Sequence, residues 1–443
     1  MSRRRALPLS DTSRCAVLLC ATTVACGFDS SGAEGGTVAE SASSASADSS
    51  AGPGATSSTG TSTATAPSTS SDPDDSSTVD PTSGSTIMDA ESSSGEAGPS
   101  VDWWDIGWTK RRRIDLSLPA GVAGPLQEVP VLVVLDDTRI AYGELQPLGD
   151  DLRFVDADGT TVLSHDIERW DPGGRSSVWV KIPALDASDD FIHMYWRNDG
   201  ASAGVDAHGV WSPGYAAVYH LDDDPEANAP QILDSSAADR HATALGDMTT
   251  DDLASGVTTF GLDFDGSDDA VRIGPIDSDG WDAITVSAWV FHDSENDERA
   301  VSKAVGAHGL QHVFMIGADG GAAKARLRTD GGYGGSRQLQ PPYTLPAGAW
   351  HHLAMTWSAG SGQMVLYVDG IEVDDGALAG QSVANGSTDV FLANANGSDP
   401  RYWNGILDEV RIEQVSRDGD WLRTQVAAMN DALAMFGAEE ILP

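Results

Sequence analysis

The stretch "AWHHLAMTWSAGSGQMVLYVDGIEVDDG", residues 349–376, contains runs in which apolar and polar residues alternate. Side chains alternate between the two faces of a β-strand, so this period of two predicts strands with one buried face. Asp369 and Gly370 separate "VLYV" from "IEV", and an Asp-Gly pair in that place is a strong signal for a two-residue turn. The stretch therefore predicts antiparallel strands joined by tight turns.

Similar runs recur on both sides of this stretch, separated by residues that are typical of turns. They are "GLDFDGSDDAVRIG" (261–274), "ITVSAWVFHD" (284–293), "TDVFLANA" (388–395) and "NGILDEVRIEQ" (404–414). Near the C-terminus, residues 417–436 have the spacing of an amphipathic helix instead. Many antiparallel strands over this length predict an all-β, two-sheet sandwich with a short C-terminal helix.

The order of these strands resembles a known family. Together with "YAAVYHLDD" (215–223) and "LDSSAADRHATA" (233–244), they look like a LamG-like, concanavalin A-like jelly roll over residues 209–435. The resemblance implies an antiparallel jelly-roll sandwich of the kind found in secreted bacterial proteins. Residues 436–443 are then expected to form a tail.

A second group of strand-like runs precedes the jelly roll, within residues 101–208. They are "WWDIGWTKRRRIDL" (103–116), "VPVLVVL" (129–135), "SVWVKIPAL" (177–185) and "IHMYWRNDGAS" (192–202). These runs resemble the bacterial extracellular domain of unknown function 2341 over about residues 102–205, a resemblance that implies no activity. They predict a small β-sandwich-like domain. The polar run "SHDIERWD" (164–171) is interpreted as the exposed face of a half-buried strand.

The composition argues against one class of partner. The 443-residue chain has 67 acidic and 26 basic side chains and a formal net charge of -41, so it should repel nucleic acid. All three cysteines, Cys15, Cys20 and Cys26, lie near the N-terminus. The predicted β domains therefore have no intramolecular disulfide, although the chain is expected to be exported.

The N-terminal residues predict export. Four arginines precede or flank an apolar run that is too short to span a bilayer, so residues 1–25 are expected to be a signal peptide. "TVACG" resembles a bacterial lipobox, which implies that Cys26 becomes the lipidated first residue. Ordinary signal-peptidase cleavage is the alternative, because Thr23 stands where such boxes usually have Leu. Residues 26–100 are rich in Ser, Thr, Ala, Gly and acidic residues and predict a disordered linker.

Residues 404–412, "NGILDEVRI", place an acid in an apolar strand. Ile406, Asp408 and Val410 should share one face, which we expect to be the core face, and a buried carboxylate needs a compensating partner. The opposite face, which carries Glu409, Arg411 and Glu413, is predicted to be a surface ion-pair ladder.

The resemblance to jelly rolls implies a partner for Asp408. Similar jelly rolls often hold a structural calcium ion, and Asp234 and Asp408 stand where its ligands would be. Calcium prefers several oxygen ligands, and such a metal would stabilise a secreted domain without disulfides. In the alternative, Asp408 accepts hydrogen bonds from backbone N–H groups of a neighbouring turn or pairs with an arginine, and Asp234 forms an Asx-turn.

No catalytic residue is predicted. Retaining glycoside hydrolysis needs two carboxyl groups about 5–5.5 Å apart, and the Glu-x-Asp-x-x-Glu signature of laminarinase-like enzymes does not occur. A binding loop is the better hypothesis, because "RTDGGYGGSRQLQPPY" (328–343) offers aromatic, guanidinium and amide groups in a Gly-rich frame. The candidate ligand-binding residues are Tyr333, Arg337, Gln338 and Tyr343. The alternative is a mobile hairpin with no ligand.

These observations predict a cell-surface lipoprotein, located in the outer membrane or at the cell surface and attached to the membrane through its lipid anchor only. Its jelly roll is expected to bind extracellular glycan or protein without catalysis. One alternative is a structural envelope protein that binds nothing beyond calcium. A glycan-degrading enzyme is the other alternative, and it rests on analogy of fold.

Overall fold

The structure is a computed structural model that describes residues 103–186, 190–304, 311–395 and 400–442. These residues belong to one compact unit, Ser93–Pro443. The predicted signal peptide, Cys26 and almost all of the predicted linker lie outside the described residues. Antiparallel strands dominate the described part, so the all-β prediction is confirmed. None of the helices described there is both long and apolar enough to cross a membrane.

The first part of the chain forms seven strands and one short helix. Several strands, such as β2, are apolar on both faces, which indicates that both faces are covered. The elements are β1 (Lys110–Leu116), β2 (Leu126–Leu135), a 3-10 turn (Tyr142–Glu144), β3 (Arg153–Asp156), β4 (Val162–Leu163), β5 (His165–Arg169), β6 (Ser176–Leu185), β7 (Asp190–Trp196) and α1 (Ala207–Val210).

The second part contributes fifteen further strands among the described residues. They are β8 (Tyr215–Tyr219), β9 (Thr243–Leu245), β10 (Leu253–Ser255), β11 (Phe260–Asp265), β12 (Ala270–Pro275), β13 (Ala283–His292), β14 (Glu298–Ala304), β15 (His312–Asp319), β16 (Ala322–Arg328), β17 (Ser336–Leu339), β18 (Trp350–Ser358), β19 (Gln363–Val368), β20 (Ile371–Ala377), β21 (Asp389–Leu392) and β22 (Asn404–Glu413). Two 3-10 turns, Thr250–Asp252 and Gly332–Gly334, lie between them.

The C-terminal segment differs from its sequence prediction. Helix α2 (Gly419–Met429) begins at Asp418, whose side chain accepts a hydrogen bond from the Trp421 N–H, and it ends well before residue 436. Residues 436–443 were expected to be a tail, but most of them belong to strand β23 (Ala434–Ile441). This strand pairs antiparallel with β1, so its backbone groups are satisfied by the first domain.

The first sandwich contains a five-stranded sheet in the order β23-β1-β7-β3-β4 and a three-stranded sheet in the order β2-β6-β5. Their facing side chains form one hydrophobic core. Representative core residues from both sheets are Ile114, Val131, Phe154, Val180 and Trp196, and none of their side chains reaches solvent. The C-terminal strand therefore completes a domain that begins more than 300 residues earlier in the chain.

The second sandwich packs an eight-stranded sheet on a seven-stranded sheet. The first has the order β10-β11-β22-β13-β18-β19-β20, with β8 paired to β22, and the second has the order β17-β16-β15-β14-β21-β12-β9. The Asp369-Gly370 hairpin prediction is confirmed, because Val368 pairs with Ile371 and both turn residues have positive φ, 53° and 74°. A two-residue turn with positive φ at both positions matches the twist of the strands.

A bulge in β22 overturns the predicted faces of that strand. Ser287 on β13 pairs with Arg411 and Trp289 pairs with Asp408, so β22 has one extra residue at Glu409–Val410, and Glu409 has a φ of 49°. An extra residue at a bulge changes which face the following side chains take. Consequently Val410 lies in the core of the second sandwich as predicted, but Asp408 does not share its face, and Leu407 lies in the core instead.

The face of β22 that was predicted to be exposed is buried. The side chains of Glu409, Arg411 and Glu413 are 0%, 1% and 0% exposed, so the prediction of a surface ion-pair ladder is wrong. The physical reason is the first sandwich, whose three-stranded sheet packs against this side of the second sandwich. A separate hydrophobic cluster marks the contact, with Leu132 and Trp179 from one domain and Val218, Trp289 and Met429 from the other.

Candidate functional site

Asp408 is fully buried and receives hydrogen bonds from a neighbouring turn. Its Oδ2 accepts from the backbone N–H groups of Val257 (2.7 Å) and Thr258 (3.3 Å), which is the hydrogen-bonded alternative considered from the sequence. Its Oδ1 has no hydrogen-bond partner among the described residues. Burial and the nearby charges of Glu409 and Glu168 raise the pKa of Asp408 well above its usual value.

Asp234 has a different set of partners. Its Oδ1 accepts from the N–H groups of Val218 and Ser236, both at 2.9 Å, and its Oδ2 accepts from Ser236 Oγ (3.0 Å) and the Arg240 N–H (2.8 Å). These donors saturate the carboxylate and supply no oxygen ligand except one hydroxyl. The surroundings of Asp234 therefore fit a hydrogen-bonded turn and do not fit a calcium ion.

A buried polar cluster lies where the two sandwiches meet, beside Asp408. Strand β5 supplies Glu168, the residue after β8 supplies His220, and the bulge in β22 supplies Glu409. One ligand atom from each of these three residues lies within 4.8 Å of the other two. His220 Nδ1 is 2.6 Å from Glu409 Oε1 and 3.9 Å from Glu168 Oε2. We call this group the junction cluster.

Further side chains hold the junction cluster in place. Glu168 accepts hydrogen bonds from Trp179 Nε1 (2.8 Å), Thr258 Oγ1 (2.7 Å) and Thr259 Oγ1 (3.0 Å). Glu409 Oε2 accepts from Arg411 Nη2 at 2.7 Å. The cluster thus ties strands of the first domain to strands and loops of the second.

The charges in the junction cluster shift one another. Burial and the charge of Glu409 raise the pKa of Glu168 to about 7. Burial alone would lower the pKa of His220, but the charge of Glu409 and the hydrogen bonds with Asp166 and Glu409 raise it well above its usual value. Burial opposes ionisation of Glu409, yet His220 and Arg411 hold its pKa below the usual value. Neutral and charged groups therefore coexist in one buried site.

The sequence analysis missed the junction cluster. It assigned the "SHDIERWD" run to an exposed strand face, whereas Asp166 and Glu168 have side chains that are 8% and 0% exposed. It gave His220 no role. One signal was available. His220 directly follows "YAAVY", and apart from the tyrosine hydroxyls this strand has no polar residue that would indicate a solvent-exposed face.

Two of the predicted ligand-binding residues, Arg337 and Gln338, are neighbours on β17 and contact different partners. Gln338 lies on exposed strand β17, where its Oε1 accepts from Arg326 Nε at 2.7 Å and its Nε2 donates to Gln340 Oε1 at 2.9 Å. The guanidinium of Arg337, the preceding residue, packs against Gly376 on β20 instead. Tyr343 is 39% exposed beside the start of β16, and its carbonyl accepts from the Ala323 N–H. The side chain of Tyr333 lies outside the described part.

A polar crevice of about 350 Å³ opens at the rim of the second sandwich. It is lined by Gly266, Asn296, Asp297, Pro400, Arg401 and Tyr402. Asp297 is the centre of its charge network, with ion pairs to Arg299, Lys324 (2.9 Å) and Arg401 (3.2 Å). Burial opposes ionisation of Asp297, but Arg299 and Lys324 hold the pKa of this carboxyl well below its usual range.

The charge network of the crevice extends onto the outer face of the seven-stranded sheet through Lys324. Lys324 and Arg326 are two residues apart on β16 and share a face, and Arg326 bonds to Gln338 on β17. Guanidinium and amide groups thus run from the crevice to one of the predicted binding residues. A larger crevice of about 540 Å³ lies near Pro275 and Asn385, and none of the described residues that line it is aromatic.

Family models match both domains in the predicted order. Residues 148–232 match the model of a domain of unknown function, DUF2341, and residues 265–422 match that of the concanavalin A-like lectin/glucanases superfamily. The resemblances drawn from the sequence are therefore confirmed. No curated protein shows significant similarity to the sequence of this chain.

Solved structures give weak likenesses. The binding domain of Paraclostridial Mosquitocidal Protein 1 is 13% identical with a TM-score of 0.37, and the match covers 48% of this chain and 52% of that domain. The receptor-binding domain of a botulinum neurotoxin C/D mosaic serotype is 14% identical with a TM-score of 0.35, and the match covers 47% of this chain and 50% of that domain. The match thus spans about half the length of each toxin structure.

Domain 4 of AbnA, an extracellular arabinanase of Geobacillus stearothermophilus, was solved in complex with arabinotriose. It is 18% identical with a TM-score of 0.37, and the match covers 49% of this chain and all of that domain.

Proposed function

We propose that this chain is a lipid-anchored cell-surface protein whose second sandwich binds extracellular glycan or protein without catalysis. One observation carries the proposal: a crevice that combines an aromatic ring with amide, guanidinium and carboxylate groups opens on the sandwich, at a place away from the buried face that contacts the first domain. Aromatic faces and planar hydrogen-bonding groups are the chemistry that holds sugar rings. A glycan is therefore the favoured ligand.

The crevice supports recognition for a second reason. Its central carboxylate, Asp297, is already fixed by Arg299, Lys324 and Arg401, so the polar groups are pre-organised before a ligand arrives. Pre-organised groups lose little conformational entropy on binding. Gln338 and Arg326 would extend the contact to a ligand longer than the crevice itself.

A glycan array with the full chain tests the proposal. Reproducible binding to one class of glycan is expected, and Tyr402→Ala should weaken it by about tenfold or more, because the ring supplies the stacking face. Gln338→Ala should weaken binding only to longer glycans. Asn385→Ala, in the crevice that lacks an aromatic ring, is the matched control and should leave binding unchanged.

Two results would contradict the proposal. Binding that is equally strong in the wild type and in Tyr402→Ala would place the ligand elsewhere. Release of shorter sugars from a bound glycan, followed by mass spectrometry, would overturn the non-catalytic part. Complete absence of glycan and protein ligands would instead support the alternative of a structural envelope protein.

A further inference from the structure

The junction cluster and its three ionisable neighbours Asp166, Asp408 and Arg411 include more acids than bases. Six ionisable side chains are each at least nine-tenths buried, four of them acidic and two basic: Asp166, Glu168, Asp408, Glu409, His220 and Arg411. If all six were ionised, the net charge would be -4 + 2 = -2. Uncompensated charge costs several kcal/mol in the interior of a protein. The region must therefore gain two positive charges, either from bound protons or from a divalent cation.

The geometry of the junction cluster resembles a metal-binding site more than a set of isolated ion pairs. The three ligand atoms of Glu168, His220 and Glu409 already converge within 4.8 Å of one another. A tetrahedral zinc ion bound at about 2.0–2.2 Å separates its ligand atoms by about 3.3–3.6 Å. His220 Nδ1 is 2.6 Å from Glu409 Oε1, which is below that range, and 3.9 Å from Glu168 Oε2, which is above it. Side-chain shifts of about 1 Å would therefore bring the three atoms to the distances that a zinc ion requires.

Asp166 prepares His220 for a metal. Its Oδ2 is 3.4 Å from His220 Nε2 and also accepts a hydrogen bond from Trp211 Nε1 at 2.8 Å. A carboxylate behind one ring nitrogen keeps the proton there and leaves the lone pair of the other nitrogen free to bind a metal. Here that other nitrogen is Nδ1, which points toward Glu409 and Glu168.

Asp408 offers a further oxygen. It is 0% exposed, and its Oδ1 is a buried oxygen without a hydrogen-bond partner among the described residues. The residue is adjacent to Glu409 at the bulge, and the backbone N–H groups of Val257 and Thr258 hold its other oxygen. A buried carboxylate oxygen without a donor is costly unless a cation or a proton satisfies it.

We propose that Glu168, His220 and Glu409 bind a divalent transition-metal ion of the zinc class, which locks the first sandwich to the second. One imidazole nitrogen with carboxylate oxygens suits such ions, whereas calcium takes oxygen ligands. The two carboxylates and the imidazole come from both domains, so the ion joins elements that are far apart in the chain. This site is independent of the proposed glycan-binding crevice.

Metal titration of the full, chelator-stripped chain tests the proposal. Zn²⁺ should bind with one-to-one stoichiometry and submicromolar affinity in competition with a chromophoric chelator, and it should raise the melting temperature. Co²⁺ should compete with Zn²⁺ and give the visible absorption band of a tetrahedral nitrogen and oxygen site. Millimolar Ca²⁺ should not displace either ion.

Three variants separate this site from adventitious binding. Glu168→Gln and His220→Gln should each weaken Zn²⁺ binding by about 100-fold or more, because each removes a ligand. Asp265→Asn is the matched control, since it disrupts a second group of three acids, the exposed Asp265 and Asp268 with the buried Asp269, and should leave the affinity unchanged.

The proposal is wrong if the folded wild type binds no stoichiometric Zn²⁺, or if Ca²⁺ displaces it. It is also wrong if both junction variants bind Zn²⁺ as tightly as the wild type, or if Asp265→Asn abolishes binding. If either junction variant fails to fold, the stoichiometry and the Co²⁺ spectrum of the wild type decide the question.

Discussion

Replacement of Arg411 by methionine tests whether the β22 side chains are buried between the domains. Arg411 is 1% exposed, and it donates hydrogen bonds to Glu409 Oε2 (2.7 Å) and Gln425 Oε1 (2.6 Å). Its guanidinium also lies 4.6 Å and 4.7 Å from the ring centres of Trp179 and Trp211. Methionine keeps much of the length and the apolar stem, but it removes the charge and both donors.

The size of the effect follows from that environment. The substitution would change the formal charge of the six buried residues from -2 to -3. It would also leave two buried oxygen atoms without their hydrogen-bond donors. Removing one partner of a buried ion pair costs about 3–5 kcal/mol. We therefore expect Arg411→Met to lower the free energy of unfolding by about 3–5 kcal/mol. If Arg411 lay on a solvent-exposed ladder, the cost would be about 1 kcal/mol or less.

Urea unfolding of the full chain at neutral pH, followed by tryptophan fluorescence, measures this difference. Chelator is present throughout, so that a bound metal does not compensate for the lost charge. Arg423→Met is the control, because Arg423 pairs with Asp420 on α2 while both side chains are about one-third exposed, and it should cost about 1 kcal/mol or less. A loss below 1 kcal/mol in Arg411→Met would refute the buried ion-pair interpretation.

Two further predictions concern other parts of the chain. Burial lowers the pKa of His312 from 6.5 to about 4, so its contribution to stability is complete above pH 6.5 and is lost as the pH falls through 4. In urea titrations, His312→Phe should therefore become more stable relative to the wild type as the pH falls from 6.5 to 4. A difference in unfolding free energy that stays constant over this pH range would contradict the lowered pKa of His312. Metabolic labelling with an alkyne fatty acid should mark the wild type and not Cys26→Ser, and an unlabelled, soluble wild type would refute the lipid anchor.

Local patterns in the sequence predicted much of the fold. The alternation of apolar and polar residues predicted strands throughout the second sandwich, and Asp369-Gly370 predicted a turn that the structure contains. A hairpin is a local structure, so its turn residues and its flanking strands are enough to specify it. The helix prediction was right about residues 419–429, but the strand that follows was not foreseen.

The predicted faces of β22 failed because a bulge is not visible in a period-two pattern. The sequence "ILDEVRI" reads as one regular strand, but one extra residue at Glu409–Val410 puts Ile406 and Asp408 on the opposite face from Val410. Glu409 and Arg411 do lie away from the core of the second sandwich, as the pattern predicted. They are buried because the first sandwich covers that face, which no pattern within β22 reveals.

The sequence by itself determined the fold class, the order of the two domains and the alternating residues that build each core, because these depend on neighbours in the chain. The tertiary structure decided the rest. It placed β23 beside β1, covered one side of β22 with the first sandwich, and brought Glu168 and Glu409 to the same imidazole. Residues 168 and 409 are 241 positions apart, and no local period or spacing relates them. Their proximity exists only because two sheets bury their outer faces against each other.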